Sequence, residues 1–215
     1  ASGNQQASGD YKKLIKKRRS ACHFGGKDAY LFSVNESEIL RREADCSARC
    51  GLPATFVRET ELPFPVHGAV RFTGQAQFHP LEFIEALSGD LTVYERTKVR
   101  EVKGHEIMTD RGVVRADHIV FACHYPFVNI PGFYFLRLYQ EKSYVMALGP
   151  VKELEGMYLG IDKNSYSFRS AGNTLLLGHG SHPPGKCTET NPHAEISRLK
   201  AHFYPGTEES GNRSA

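Results

Sequence analysis

Apolar positions along this chain follow two rhythms. In DAYLFSV (28–34) they alternate and are aromatic-rich, which predicts a strand. The same alternation marks ATFVRET (54–60), AVRF (69–72), KSYVMALG (142–149), GMYLGI (156–161), SYSFRS (165–170) and NTLLLGHG (173–180). The last four read as an antiparallel set, with Ala171-Gly172-Asn173 as a hairpin turn. The helical rhythm appears in four places. A basic helix is predicted over 10–20. A second runs from an Asn35 cap, with Glu38 as its capping-box partner, to about Cys50, where Gly51 and Pro53 stop it. A third opens at Pro80, places Leu81, Ile84 and Leu87 on one face, and ends at Gly89. A fourth is NPHAEISRLKAHF (191–203), with Asn191 as cap and Pro192 in its first turn.

Between the third helix and residue 124 lie LTVYERTKVREV, HEIMTD and VVRADHIVFAC, separated by Gly104 and Asp110-Arg111-Gly112. This is the pattern of a β-meander whose last member is a buried strand ending on small residues. ELPFPVHG and the Pro/Gly-rich 126–132 read as connections. No internal repeat is visible. Antiparallel strands mixed with helices predict an α+β fold, or an interrupted α/β fold.

Composition narrows the class. The hydrophobic share of 40% and aromatic share of 11% suffice for a core. No run reaches the roughly 20 apolar residues of a membrane helix, and no signal-peptide core is seen. Five cysteines without framework spacing fit a reducing compartment, so a cytoplasmic location is expected. The net charge of +3 comes from Lys12, Lys13, Lys16, Lys17, Arg18 and Arg19; the rest of the chain is net negative. A basic patch of this kind serves either an acidic partner or nucleic acid, or simply forms a solvated helix face with Leu14 and Ile15 inward. The second reading is favoured, because no aromatic residues are interleaved for base stacking. Neither nucleic acid nor membrane is therefore expected as a partner.

The order of these segments resembles FAD-dependent oxidoreductases of the D-amino-acid and glycine oxidase family, and most nearly its bacterial amine and amino-acid branch. The resemblance is carried by KDAYLFS, ELPFPVHGAVRFTGQAQFHPLEFIEAL, the meander, and SYSFRSAGNTLLLGHGSH. Ala116, Asp117, Ile119, Val120 and Ala122 fill the family pattern A-D-x-V-V-x-A-x-G, with His124 where the pattern has Gly. The family's phosphate loop, G-x-G-x-x-G between a strand and a helix, is not found. GHGSHP (178–183) fails because Pro183 and Pro184 follow where helix N–H groups are needed.

The resemblance implies oxidation of an amine or amino-acid C–N bond by hydride transfer to FAD, the flavin carrying the chemistry. It implies a middle fragment: a flexible tail or linker at 1–10, substrate domain at 11–78 and 134–205, part of the FAD domain at 79–133, and a second flexible tail at 206–215. FAD is then expected in the longer parent, and not in this chain, which is expected to be inactive alone. The excised surface would be apolar and prone to pairing, so a homodimer is expected. The resemblance also places Val99 beside the adenosine and Ala122 and Cys123 along a strand returning to the cofactor. It puts Tyr166 and Arg169 on strand positions that can face the substrate, with Arg169 either forking onto a carboxylate or pairing as a surface residue. No catalytic residue is assigned. A non-catalytic carboxylate- or amine-binding module is the alternative function.

Other candidates are weaker. Cys46 and Cys50 share a helical face but lack further ligands, so packing is expected and no metal site. Adjacent Cys22-His23 and Cys123-His124 point to opposite sides of a strand. His179 and His182 are expected in an exposed loop. Gln75, Gln77 and His79 either line the substrate cleft or satisfy backbone groups.

Overall fold

The computed structural model describes residues 2–125, 127, 132–184 and 191–214, with side chains except at 2–5, 192 and 212–214. In chain order the elements are α1 (Ser2–Arg18), β1 (Gly25–Gly26), β2 (Asp28–Ser33), α2 (Glu38–Arg49), β3 (Ala54–Val57), β4 (Gly68–Phe72), β5 (Ala76–Gln77) and α3 (Pro80–Ser88). They continue with β6 (Val99–Lys103), β7 (Glu106–Thr109), β8 (Val113–Arg115), a 3-10 turn (Tyr134–Leu136), β9 (Lys142–Gly149), β10 (Gly156–Gly160), β11 (Tyr166–Ala171), β12 (Thr174–His182), α4 (Pro192–Phe203) and β13 (Glu208–Ser214). The α+β expectation holds.

Two compact units share this chain: Ala1–Leu87 with Lys142–Ala215, and Ser88–Glu141. The first contains an eight-stranded sheet in the order β13-β9-β12-β11-β10-β2-β4-β3. Among the described residues its pairings are antiparallel except β10 with β2, where Tyr158 lies beside Tyr30. Strict alternation gives the sheet two different faces. One carries Phe32, Met146, Tyr158, Phe168 and Leu177, all buried, and α4 adds Ile196 and Leu199 to the same cluster. Each such side chain contributes about 1.5–3 kcal/mol by leaving water. The opposite face carries Val70, Leu31, Phe56 and Phe72, packed with Leu40 and Ala44 of α2.

Local chemistry explains the helix ends. Gly51 has φ +76°, open to a residue without Cβ. Its N–H bonds to Ala48 O at 2.9 Å and that of Leu52 to Ser47 O at 3.0 Å, which closes α2 as a Schellman motif. The start of α2 differs from expectation. The helix begins at Glu38 after Ser37, without a side-chain cap. Asn35 instead turns its side chain to Asp162, and the Asn35 and Glu36 N–H groups bond to Ser33 Oγ at 3.1 and 3.0 Å. At α4 the expected cap is present: Asn191 Oδ1 accepts from His193 N–H at 3.1 Å.

Both ends of the chain differ from the tails expected at 1–10 and 206–215. Helix α1 begins at Ser2, and Glu208–Ser214 forms an edge strand on β9. Lys12, Lys13, Lys16 and Lys17 of α1 are exposed and Arg18 is half-buried, but Leu14 is exposed with the lysines. Tyr11 makes the contact instead, its ring 5.5 Å from both Phe78 and Phe83. On α3 it is Phe83 that is buried, while Leu81 and Ile84 face out.

The second unit contains the three-stranded meander β6-β7-β8. Its last strand stops at Arg115, and all three of its residues are exposed. The expected buried strand through 116–123 is not formed: Val120 is 86% exposed. A strand needs a hydrogen-bonding neighbour, and among the described residues the ladder goes no further than Ala116, whose N–H donates to His105 O at 3.0 Å.

Candidate functional site

The face of the large sheet opposite α4 is only partly covered. Helix α2 lies on its β3–β4 end. Beyond that, Ala29 and Leu31 of β2, Phe72 of β4, Met157 and Leu159 of β10, and Ser167 and Arg169 of β11 line a cavity of about 840 Å³, with Lys12 and Gln75 also contributing. Leu159 is 54% exposed although β10 is a central strand. With Leu31 and Met157 it gives the cavity an apolar floor.

Arg169 is the polar feature of this floor. Its Nε donates to Gln77 Oε1 at 3.2 Å and its Nη2 to the Phe78 carbonyl at 3.3 Å. Gln77 is itself fixed, its Nε2 donating to Ser170 O at 3.0 Å. A guanidinium has five N–H donors, so this anchoring leaves a set free for an acceptor in the cavity. Gln77 thus serves the backbone and Arg169 at once. Gln75 lines the cavity. His79 caps α3, its Nδ1 accepting from Glu82 N–H at 3.3 Å.

Tyr166 does not join Arg169. Three positions apart on one strand, they point to opposite faces. The Tyr166 ring stacks on His179 at 4.4 Å on the core side, and burial, then the Glu195 charge, push its phenol above the ordinary value. The expectation that both line one substrate site is corrected on that ground. His179 is not in an exposed loop either. It sits on β12, its side chain 2% exposed, with Nε2 donating to Glu195 Oε2 at 2.6 Å. Its Nδ1 faces Ser165 O at 3.2 Å. The strand read over 173–180 already contained His179, and the period-2 continuation of Leu175 and Leu177 puts it on the core side.

Also on the core side, Glu61 accepts from Tyr158 Oη and from Gly156 N–H, each at 2.8 Å. Tyr158 stacks on Tyr30 at 4.6 Å. Burial first, then the Glu61 hydrogen bond, raise the Tyr158 phenol well above its ordinary value. Tyr204 is pushed up to about 12 by burial and the Glu61 charge.

In the second unit, Val99 opens β6 opposite Thr109 and is half-buried. Ala122 and Cys123 lie outside any strand and are exposed. Their expected position along a buried returning strand is therefore corrected. Gly178 and Gly180 lie within β12. Among the described residues no glycine loop joins a strand to a helix N-terminus, so these residues do not fit the diphosphate of a dinucleotide. No group of three or more His, Cys, Asp or Glu side chains among them is placed to hold a metal. No helix among them is long and apolar enough to cross a membrane.

The large sheet, packed on one face and open over a cavity on the other, belongs to a fold shared with known proteins. A family model described as FAD dependent oxidoreductase matches residues 5–207. The chain belongs to that family. Its structure is similar to glycine oxidase from Geobacillus kaustophilus, with a TM-score of 0.75 and 20% identity over 97% of this chain and 63% of that one. It is also similar to L-proline dehydrogenase from P. horikoshii, with a TM-score of 0.70 and 13% identity over 96% of this chain and 64% of that one. In sequence it is 30% identical to the Bacillus subtilis (strain 168) protein YhfW, named for a Rieske 2Fe-2S iron–sulfur centre, over 95% of this chain and 43% of that protein. The chain thus spans less than two thirds of each of these relatives.

Proposed function

We propose that this chain supplies the substrate side of a flavin-dependent oxidoreductase that oxidises the C–N bond of an amine or amino acid. The observation that carries the reading is Arg169, held by Gln77 at the edge of an apolar-floored cavity on the open sheet face. A planar cation beside Leu31, Met157 and Leu159 suits a carboxylate with a short apolar body. In this family the flavin accepts the hydride; the described residues contribute binding and orientation, and the diphosphate cradle lies elsewhere in a longer protein. On this reading the chain alone turns over no substrate. The Bacillus subtilis relative is named for a Rieske 2Fe-2S centre, and on this reading a centre of that kind is the candidate acceptor for the flavin's electrons.

The test is a calorimetric titration of the purified chain with amino acids, their amines and the corresponding carboxylates. Binding that needs the carboxylate, and weakens at least tenfold in R169A, supports the reading. Equal binding of the amines, or an R169A variant that binds unchanged, removes Arg169 from the site. The second reading is a carboxylate-binding module without flavin, resting on the same Arg169 and Gln77 pair. Addition of FAD followed by filtration separates the two for the longer protein: retained flavin bands there support the enzyme, and a colourless protein supports the module.

A further inference from the structure

Cys46 and Cys50 were expected to pack, and they do not: both are exposed and free, Cys46 on the last turn of α2 and Cys50 at its C-cap. The inner face is taken by Leu40, Ala44 and Ser47. We propose that Cys46 and Cys50 form a two-thiolate site for a soft, closed-shell monovalent ion of the copper(I) or silver(I) kind.

Spacing decides between an ion and a disulfide. Side chains four apart on a helix have Cβ atoms about 5–6 Å apart, whereas a disulfide needs about 3.5–4.5 Å. The turn resists closing that gap. The Cys50 N–H is bonded to Cys46 O and Ser47 O, both at 3.1 Å, and the Schellman bonds of Gly51 and Leu52 lock the next two residues. A thiolate–metal–thiolate bridge, with metal–sulfur bonds of about 2.3 Å each, spans the distance without moving the backbone. Among the described residues no further His, Cys, Asp or Glu completes a group of three. Zinc, which takes four ligands in structural sites, is therefore poorly served, while soft thiolate pairs select copper(I)-type ions.

Arg49 supports the charge. Its Nη2 donates to Cys46 Sγ at 3.1 Å. Binding exchanges two S–H bonds for two S–metal bonds and releases two protons to water. No electrons move. The resulting complex carries one negative charge beside the Arg49 guanidinium.

The experiment uses silver(I) as the probe, in competition with a chromogenic chelator, on the reduced chain carrying C123S and C187S, so that Cys22 is the one thiol left besides the pair. Cys22 is fully buried. One equivalent is expected to bind, and C46S or C50S alone is expected to weaken it by about 100-fold or more, the gain from linking two ligands at a fixed separation. Excess zinc is expected not to displace it. Unchanged melting temperatures in the exposed C46S and C50S variants show that folding is not the cause. Retention of silver within threefold in either single variant overturns the proposal. So does ready formation of a Cys46–Cys50 disulfide with a mild thiol oxidant, because it shows that the gap closes without an ion.

Discussion

Arg169 of β11 and Gln77 of β5 hold each other at 3.2 Å, and Gln77 returns the contact to β11 by donating to Ser170 O at 3.0 Å. An arginine side chain has about 2 kcal/mol of rotamer entropy to lose. Anchored in this way, it loses less when a ligand arrives. Gln77→Ala is therefore expected to weaken carboxylate binding by about three- to tenfold, a loss of about 1 kcal/mol, with little change in stability. Arg169→Lys is not expected to restore binding, since an ammonium cannot keep the Gln77 contact and fork onto a carboxylate as well. Calorimetry on both variants checks this; an unchanged affinity in Q77A would mean that the anchor plays no part.

The tyrosine stack sets a tight limit at Gly156. A Cβ there would lie 2.6 Å from the Tyr30 ring and 2.8 Å from Tyr158 Oη. Both rings are wedged, Tyr158 by its bond to Glu61. Gly156→Ala is expected to cost about 1–3 kcal/mol by overpacking. Tyr158→Phe removes one bond while Gly156 N–H still donates to Glu61, so its cost is expected near 1 kcal/mol. Urea denaturation of the two variants should give that order; a more damaging Y158F would show that the phenol, not the space, governs this corner.

The two sheet faces predict separable effects. His179→Phe keeps the stack on Tyr166 but removes the 2.6 Å donor to Glu195 and the partner of Ser165 O. The expected loss is about 1–3 kcal/mol of stability. Carboxylate binding, on the other face, is expected to stay within twofold. A fall in affinity parallel to R169A would refute the assignment of these residues to opposite faces.

How much of this was legible in the sequence depended on whether a signal was local. Seven strands of the large sheet carry a clear apolar rhythm and were visible; β13 was not, because Glu208–Ser214 has no apolar alternation and is a strand only through its pairing with β9. Asn191-Pro192 and Gly51 act within one turn, and both helix boundaries were read correctly. Asn35 was misread because its partner, Asp162, is more than a hundred positions away and outcompeted the local cap. Phe83 displaced Leu81 and Ile84 because Tyr11 and Phe78 chose the face of α3. Residues 116–123 have strand composition, but composition does not provide a neighbour. Arg169 was legible as a candidate. That Tyr166 faces away from it was already implied by their odd spacing, and only pairing with His179 made the face explicit.

Asp162 ties the end of β2 to the β10–β11 connection. It accepts from Ser33 Oγ at 2.7 Å and Val34 N–H at 2.9 Å. Burial pushes its carboxyl up, but these bonds and the Asn35 side chain outweigh that and hold it below the ordinary value. A carboxyl depressed by folding binds protons less readily in the folded state than in the unfolded one. Its contribution to stability is therefore complete above the unfolded pKa, about 4 for aspartate, and is lost as pH falls through the lower folded value. Asp162→Asn keeps the shape and removes that titration. Stability from urea curves is expected to fall less steeply below about pH 4 in D162N than in the parent, while D162N is the less stable of the two at pH 7. Ser33→Ala, at a fully buried position, is expected to cost about 1–3 kcal/mol at pH 7 and to flatten the acid limb in the same direction, because it removes the hydroxyl that lowers the Asp162 carboxyl. Parallel acid limbs in all three proteins would assign the acid sensitivity to other carboxylates.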